Sequence, residues 1–394
     1  MMKIKNIAYI ISIFLTLNVS AQLESGFNPR EVRDMIQVCN SFAYLDLYGS
    51  DKEIIPNGYK KVYTSPALGM DNRFQVFSNG KKAIISFRGT TEKQMSWMAN
   101  LYASMIPVND KIIIDENEFN YKLGEKKDSY VHAGYTLAIY YLKNDLLWQI
   151  NKLNQQGIYD FYITGHSQGG ALAQLVMSYF EYLPNQELSK KNTFKVYAFA
   201  NPMVGNQSFV EEYNRKFVKT GMSFIIHNPE DVVTKLPYSY QDSLFWQENL
   251  AEFLTNREGF STRNFMIDAV SHLFSDRIIS MARDMSKRIE GQLFAELGNI
   301  VMPALKEDFN YAHTGNLILI SKTVYPLELK DPSILENDSL MKTYERNEDG
   351  TFKDKSLYKR RNMFLQHKPY NYYTAILKDF FPKDYVRLDK KYFE

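Results

Sequence analysis

Residues 162–173 read YITGHSQGGALA, and this stretch decides the fold. A short apolar run is followed by a serine between glycines, and then by a run with a helical pattern. The spacing predicts a strand, a sharp turn and a helix, with the Ser167 hydroxyl raised above the end of a sheet. Gly165 and Gly169 lack the Cβ atoms that would collide with the neighbouring strand and helix. The alternative is a glycine-rich turn that contains a serine by chance.

Strands and helices alternate around this turn. We predict strands at 161–164, 194–200, 223–227 and 317–320, with helices at 171–181 and 208–217 between them. Such alternation indicates a parallel sheet covered on both faces by helices. Three earlier strands are predicted at 59–63, 73–77 and 82–87, and further helices at 29–47, 131–153 and 370–380. Right-handed crossovers place Gly165, Asn201 and Asn228 along one edge of the sheet, where open α/β sheets carry their sites.

Two segments depart from this alternation of strands and helices: one lies within it and one comes after it. Residues 244–305 have apolar residues at helical spacings, which predicts a helical insertion. Residues 325–394 are polar and rich in lysine and tyrosine, and we interpret them as a C-terminal extension of the same domain, which spans 22–394. The segment 106–130 is predicted to be irregular.

The first 21 residues have the pattern of a signal peptide: a basic start, an apolar run at 7–17 and small residues before Gln22. The apolar run is too short to span a bilayer, so we expect an exported protein without a transmembrane segment, in the periplasm or the medium. Removing Lys3 and Lys5 leaves 45 basic and 45 acidic residues, which argues against nucleic-acid binding. Cys39 is the lone cysteine, so no intramolecular disulfide forms; its place in a helical apolar pattern indicates an inert buried thiol.

A serine hydroxyl needs a base, the base needs an orienting carboxylate, and the developing oxyanion needs hydrogen-bond donors. For this type of turn the chain order is serine, acid, histidine. Asp231 is the predicted acid, because it follows an apolar strand that ends at the site edge. Glu230 is its local competitor, and a turn-capping role for Asp231 is the structural alternative.

Three of the six histidines follow the acid: His272, His313 and His367. His272 lies on the apolar face of a predicted helix. His313 lies in a loop directly before a strand, and we favour it as the base. His367, two residues before Pro369, is the second candidate.

The oxyanion donors are predicted from two loops. One is the backbone N–H of Gln168, the residue after the serine, and the other is Thr90, which follows the third strand. Arg88 is expected to form a structural ion pair.

Six motifs occur in a fixed order: FRGT at 87–90, VHAGY at 131–135, GHSQGG at 165–170, NP and VG between 201 and 205, LP at 236–237 after Asp231, and YAHTG at 311–315. Together they resemble the class 3 (fungal-type) lipase family, over residues 80 to 320 approximately. The resemblance implies an α/β-hydrolase fold, with a mostly parallel central sheet flanked by helices. It implies Ser167 as nucleophile, Asp231 as orienting acid, His313 as base, and Thr90 and Gln168 as oxyanion donors.

The expected reaction is hydrolysis of a carboxylic ester, with a triacylglycerol or other lipid ester as substrate, which can be presented at a lipid–water interface. The alternatives are a feruloyl-type esterase on dissolved substrates, a phospholipase, and a secreted binding protein without activity. No cofactor or metal is expected, since the sequence has no clustered ligand set. Residues 91–127, the insertion, or both are interpreted as a cap over the serine; the alternative is that the insertion is an additional helical layer over the core.

Overall fold

The computed structural model describes residues 23–48, 55–245, 278–306, 309–359 and 363–392. The predicted signal peptide lies outside these residues, as do 246–277 of the predicted insertion, including His272. None of the helices in these ranges combines the length and the hydrophobicity that a membrane span requires.

The described residues form twelve strands and nine α-helices. The strands are β1 Lys60–Thr64, β2 Phe74–Ser78, β3 Lys82–Phe87, β4 Met105–Pro107, β5 Asn109–Ile114, β6 Asn117–Lys122, β7 Tyr130–His132, β8 Asp160–His166, β9 Thr193–Phe199, β10 Ser223–His227, β11 Ile300–Val301 and β12 Asn316–Leu319. The helices are α1 Pro29–Tyr48, α2 Gln94–Leu101, α3 Ala133–Gln155, α4 Gln168–Tyr182, α5 Gln207–Tyr213, α6 Ile278–Leu297, α7 Asp338–Thr343, α8 Pro369–Phe380 and α9 Pro382–Val386. Short 3₁₀ turns include Val232–Lys235 and Met363–His367.

Seven strands form the main sheet, in the order β1-β2-β3-β8-β9-β10-β12. Strands β3, β8, β9, β10 and β12 of this sheet run parallel to one another. Strands β1 and β2 pair in antiparallel fashion at one edge. Every residue of β8 is buried, as expected for a central parallel strand that is covered on both faces. The predicted architecture, a mostly parallel central sheet flanked by helices, is confirmed.

Successive side chains of β8 point to opposite faces of the sheet and pack into two separate hydrophobic cores. Phe161 and Ile163 pack into the larger core, under α3 and α4. Tyr162 packs on the opposite face, together with side chains of α1 and α8. The N-terminal and C-terminal helices therefore form one layer, and they also pack against each other.

The segment predicted to be irregular contains regular structure. Strands β5 and β6 form a hairpin, and β11 pairs with β5 to complete a three-stranded antiparallel sheet. Phe119 lies against Tyr140 and Tyr179, with ring centroids 5.6 and 5.9 Å apart respectively, so the hairpin covers α3 and α4. The sequences of the two strands, NDKIII and NEFNYK, do not alternate between polar and apolar residues over their full length, so periodicity did not identify them as strands.

The described part of the insertion covers the core. Ile289 and Leu293 of α6 are buried in the larger core, and α6 packs beside α2. Ile300, in β11, pairs with Ile114. For residues 278–306, these contacts favour the interpretation as an additional layer. The cap hypothesis for residues 246–277 lies outside the described residues.

Candidate active site

Ser167 occupies the sharp turn between β8 and α4. Its backbone has φ 59° and ψ −128°, a strained conformation for a residue with a side chain. The turn is held by hydrogen bonds from Ser167 N to Phe199 O (2.9 Å) and from Gly170 N to Ser167 O (2.9 Å). A Cβ on Gly165 would lie 2.2 Å from the carbonyl carbon of Gly169, so glycine is required there. The predicted strand–turn–helix is confirmed at this position.

Asp231 follows β10 and is fully buried. Its Oδ1 accepts a hydrogen bond from Val233 N at 2.9 Å, which caps the 3₁₀ turn that follows. The competing carboxylate, Glu230, instead pairs with Lys322 at 2.6 Å, and both side chains are about half exposed. Of the two neighbouring acids, Asp231 is therefore the one that lies within the site.

His367 connects the serine to the acid. Its Nε2 lies 2.8 Å from Ser167 Oγ, and its Nδ1 lies 2.8 Å from Asp231 Oδ2. An ionised carboxylate only accepts hydrogen bonds, so the Nδ1 atom carries the proton. The lone pair of Nε2 is then free to accept the proton of the serine hydroxyl, which is the arrangement that activates a serine as a nucleophile.

The sequence-based choice of His313 for this position is wrong. The Nε2 atom of His313 instead lies 3.0 Å from Asp242 Oδ2, and its ring centroid lies 6.0 Å from that of His227. The contacts explain the difference. His313 reaches the carboxyl end of β10, but its imidazole lies against Asp242 and His227. The chain that leaves β12 returns through Gln366 and brings His367 to Ser167 and Asp231 instead.

Gln366 fixes the segment that carries His367. Its amide nitrogen donates to Thr323 O at 2.9 Å, and its amide oxygen accepts from Thr323 N at 3.1 Å. The same oxygen accepts from Asn228 Nδ2 at 2.6 Å. Gln366, which directly precedes His367, is thus bonded both to the chain that leaves β12 and to the loop that carries Asp231. No sequence motif pointed to it.

The loop after β3 lies against the serine turn. A Cβ on Gly89 would be 2.9 Å from His166 O and 3.6 Å from Ser167 Cβ. The neighbouring Thr90 hydroxyl oxygen accepts a hydrogen bond from Asn100 Nδ2 at 2.9 Å, so its own hydrogen is available to another acceptor. Arg88 forms an ion pair with Asp71 at 2.8 Å, which agrees with the structural role predicted for it.

Asn100 is held in turn by two ring residues. Its side-chain oxygen accepts from Tyr135 Oη at 2.9 Å, and its backbone oxygen lies 3.1 Å from His132 Nε2. The rings of His132 and Tyr135 are stacked at 3.8 Å. No sequence motif marks Asn100.

Gln168, the other predicted oxyanion donor, is the first residue of α4. The first N–H groups of a helix have no partner within the helix and carry its partial positive charge. The Gln168 side chain is buried, and its Nε2 donates to Ser96 O at 3.4 Å, which connects α4 to α2. The two predicted donors thus lie on either side of Ser167: Thr90 in the loop after β3, and Gln168 at the start of α4.

Three histidines beside the site are buried and neutral. Burial lowers the pKa of His132 to about 3, and it holds the pKa values of His166 and His227 well below the ordinary range. The His166 ring centroid lies 4.7 Å from that of His367. Because His166 stays uncharged, it packs against the base without repelling a protonated imidazole.

Neither cysteine chemistry nor metal binding is indicated by the described part of the chain. Burial raises the pKa of Cys39 to about 12, which makes the thiol unreactive, as predicted. Within the ranges given above, no group of three or more His, Cys, Asp or Glu side chains could hold a metal ion.

Comparison with known proteins supports the assignment of the serine segment. Residues 84–241 match the family model described as Lipase (class 3). A Caenorhabditis elegans protein, Lipase ZK262.3, is 31% identical over 115 residues, which are 29% of this chain and 30% of that protein. The chain thus spans about 30% of the length of this curated relative. The family match ends before both His313 and His367.

Solved structures of fungal lipases are also similar to this chain. The native Rhizomucor miehei lipase propeptide complex has 22% identity and a TM-score of 0.39, covering 54% of this chain and 65% of that one. The lipase from Rhizopus microsporus var. chinensis has 20% identity and a TM-score of 0.39, covering 54% and 71%.

Proposed function

We propose that this chain is a serine hydrolase of the class 3 lipase type that cleaves carboxylic esters of lipids, since its residues 84–241 match the family model described as Lipase (class 3). The observation that carries this proposal is the pair of 2.8 Å contacts that His367 makes with Ser167 and Asp231. Three side chains from distant parts of the sequence meet in the order that acyl transfer requires.

In the proposed reaction, Ser167 Oγ attacks the ester carbonyl while His367 Nε2 takes the hydroxyl proton. Asp231 keeps the imidazole in the Nδ1–H tautomer and stabilises its protonated form. His367 then returns the proton to the leaving alcohol. Water attacks the resulting acyl-enzyme with His367 again as base, which releases the carboxylic acid and restores the serine.

The tetrahedral intermediate carries a negative oxygen, which we assign to donors from Thr90 and Gln168. The Thr90 hydroxyl hydrogen is free because Asn100 already donates to the Thr90 oxygen at 2.9 Å. The Gln168 N–H is at the positive end of α4. Losing one such donor typically lowers kcat by about a hundredfold to a thousandfold.

A labelling and chain-length experiment tests the proposal. A fluorophosphonate probe should label the wild type and a Ser189→Ala control, and it should leave Ser167→Ala unlabelled. Turnover of p-nitrophenyl esters should fall by about a millionfold in Ser167→Ala. The lipid assignment predicts a preference for long acyl chains and a rise in rate once the substrate exceeds its solubility.

Two other outcomes would redirect the assignment. Labelling of Ser167 with a preference for short, dissolved esters would identify a soluble-ester esterase of the feruloyl type, and cleavage of phospholipid alone would identify a phospholipase. Absence of labelling in the folded wild type would overturn the hydrolase proposal and favour a binding protein.

We also propose that the protein is exported, on the basis of the signal-peptide pattern in residues 1–21. Expression in a bacterial host followed by N-terminal sequencing of the exported protein tests this. A mature N-terminus at Gln22 supports export, and a product retained in the cytoplasm with Met1 intact contradicts it.

A further inference from the structure

One oxygen of Asp231 accepts two hydrogen bonds at the same time. Asp231 Oδ2 lies 2.8 Å from His367 Nδ1 and 2.7 Å from Tyr372 Oη. Tyr372 is fully buried, in α8, which begins at Pro369. A single short segment of the chain therefore delivers both the imidazole and the phenol to the same carboxylate oxygen.

The surrounding contacts fix the direction of the phenol hydrogen bond. Asn228 N donates to Tyr372 Oη at 3.0 Å, and a backbone N–H can only donate. The phenol oxygen is therefore the acceptor of that bond, and its own hydrogen points to Asp231. Burial, together with the nearby carboxylate, raises the pKa of Tyr372 well above its ordinary value, so the phenol keeps its proton.

The two oxygens of Asp231 are thus held by different groups. Oδ1 accepts from Val233 N at 2.9 Å, while Oδ2 accepts from the phenol. Two donors on opposite oxygens stop the carboxylate from rotating about its own bond. The plane of the carboxylate is therefore set independently of the imidazole that it has to orient.

We propose that Tyr372 is a positioning residue for ester hydrolysis, which acts through Asp231 to keep Oδ2 directed at His367 Nδ1. The inference rests on the proposed function. Tyr372 has no contact with Ser167 among its hydrogen bonds, and its ring meets His166, with centroids 5.4 Å apart. Of the side chains of Ser167, Asp231 and His367, the Tyr372 hydroxyl is hydrogen-bonded to that of Asp231.

Removing the phenol hydroxyl should have two effects. The carboxylate becomes free to turn, which lowers kcat because fewer enzyme molecules hold the productive geometry. The carboxylate also loses a donor that shared its negative charge, so it attracts a protonated imidazole more strongly. The acidic limb of the kcat/KM profile should consequently move to higher pH.

The other ionisable groups around this pair do not obscure that signal. His166 packs on Tyr372 from the serine turn and His227 lies at the end of β10, and burial keeps both of them neutral. The Glu230–Lys322 ion pair lies beside the acid in the chain and is exposed to solvent. These groups remain in the same state in wild type and variant.

The first test compares Tyr372→Phe with Tyr373→Phe, a control on the next residue of α8. For Tyr372→Phe we expect kcat to fall by about 10-fold to 100-fold, as for loss of a hydrogen bond to a charged group, while KM changes little. The acidic limb should move up by roughly half a pH unit. Tyr373→Phe should leave kcat and the pH profile unchanged.

A second test keeps the packing and changes only the donor. Incorporation of 3-fluorotyrosine at position 372 makes the phenol a stronger donor, so the acidic limb should move to lower pH, opposite to the phenylalanine variant. This measurement remains available where Tyr372→Phe does not fold.

Three results separate the possible failures. A wild type without Ser167-dependent hydrolysis contradicts the proposed function, and it is detected before any Tyr372 variant is made. An active wild type with unshifted acidic limbs in both position-372 variants overturns the positioning role alone. The positioning role is also overturned if the activity of each variant falls only in proportion to its amount of folded protein.

Discussion

The Nε2 atom of His367 lies 2.8 Å from the Oγ atom of Ser167, although the two residues are 200 positions apart. Separate parts of the fold position the two side chains. The serine is held by the turn between β8 and α4, and the imidazole is held by the Gln366 contacts and by the start of α8. The site is therefore assembled by packing of the C-terminal extension onto the edge of the sheet.

Replacing the two candidate histidines should give very different results. His367→Ala removes the base and should lower kcat/KM by about ten-thousandfold to a millionfold, whereas His313→Ala should retain activity within about tenfold. The measurement is hydrolysis of a p-nitrophenyl ester at constant folded concentration, checked by circular dichroism. Equal losses in the two variants, or a larger loss in His313→Ala, would reject the assignment of His367.

Asn100→Ala should weaken oxyanion stabilisation without removing a reacting group. The Thr90 hydroxyl would lose the donor that directs its hydrogen away from α2, so we expect kcat to fall by about 10-fold to 100-fold with KM nearly constant. Asn144→Ala, an exposed change on α3, is the control and should behave as wild type. A rise in KM with kcat intact would instead place Asn100 in ground-state substrate binding.

Acid should destabilise the fold because His132, His166 and His227 are buried as neutral rings. Their pKa values are lowered in the folded state, so below about pH 6.5 the unfolded chain binds more protons than the folded chain. Each such histidine then lowers the free energy of unfolding by up to about 1.4 kcal/mol per pH unit. For His132 this loss continues down to a pH of about 3.

Asp34 acts in the opposite sense, since burial raises its pKa to about 6 and the folded state then binds the extra proton. Urea unfolding between pH 7 and 5 measures the net effect. We expect stability to fall as the pH falls, with a smaller slope in His132→Gln. A stability that is constant or rising over this range would show that the three rings are not buried in the neutral form.

The ion pair beneath α1 should be important for stability. Lys195 Nζ lies 2.6 Å from Glu31 Oε2, and the lysine side chain is only 1% exposed. The Tyr197 phenol donates to the same carboxylate oxygen at 2.6 Å. Lys195→Met leaves the Glu31 carboxylate, which is 14% exposed, without its cation and should lower the free energy of unfolding by about 3–5 kcal/mol.

Adding Glu31→Gln to Lys195→Met should restore part of that loss, because no uncompensated charge remains. Chemical denaturation of the single and double variants measures this, with the exposed Lys191→Met as control. If the double variant loses the sum of the two single effects, Glu31 and Lys195 do not act as a buried pair.

The amino-acid sequence by itself determined the parts of the site that local patterns encode. The strand, the glycine-flanked turn and the helix around Ser167 are contiguous, and Gly165 is required by its contact with Gly169 in the same turn. Asp231 was identified for the same reason, since a carboxylate directly after a buried strand lies at the strand's carboxyl end. The parallel sheet followed from the regular alternation of strands and helices.

Only the tertiary structure decided which histidine completes the site. His313 and His367 both lie outside regular helices and strands of the catalytic sheet, and both follow the acid, so their local sequences do not distinguish them. The choice depends on where the chain travels after β12, and on long-range contacts of Gln366, Asn228 and Tyr372. Such contacts form between residues far apart in sequence. Hydrophobic periodicity indicates which residues are buried, but it does not indicate which distant residues will be in contact.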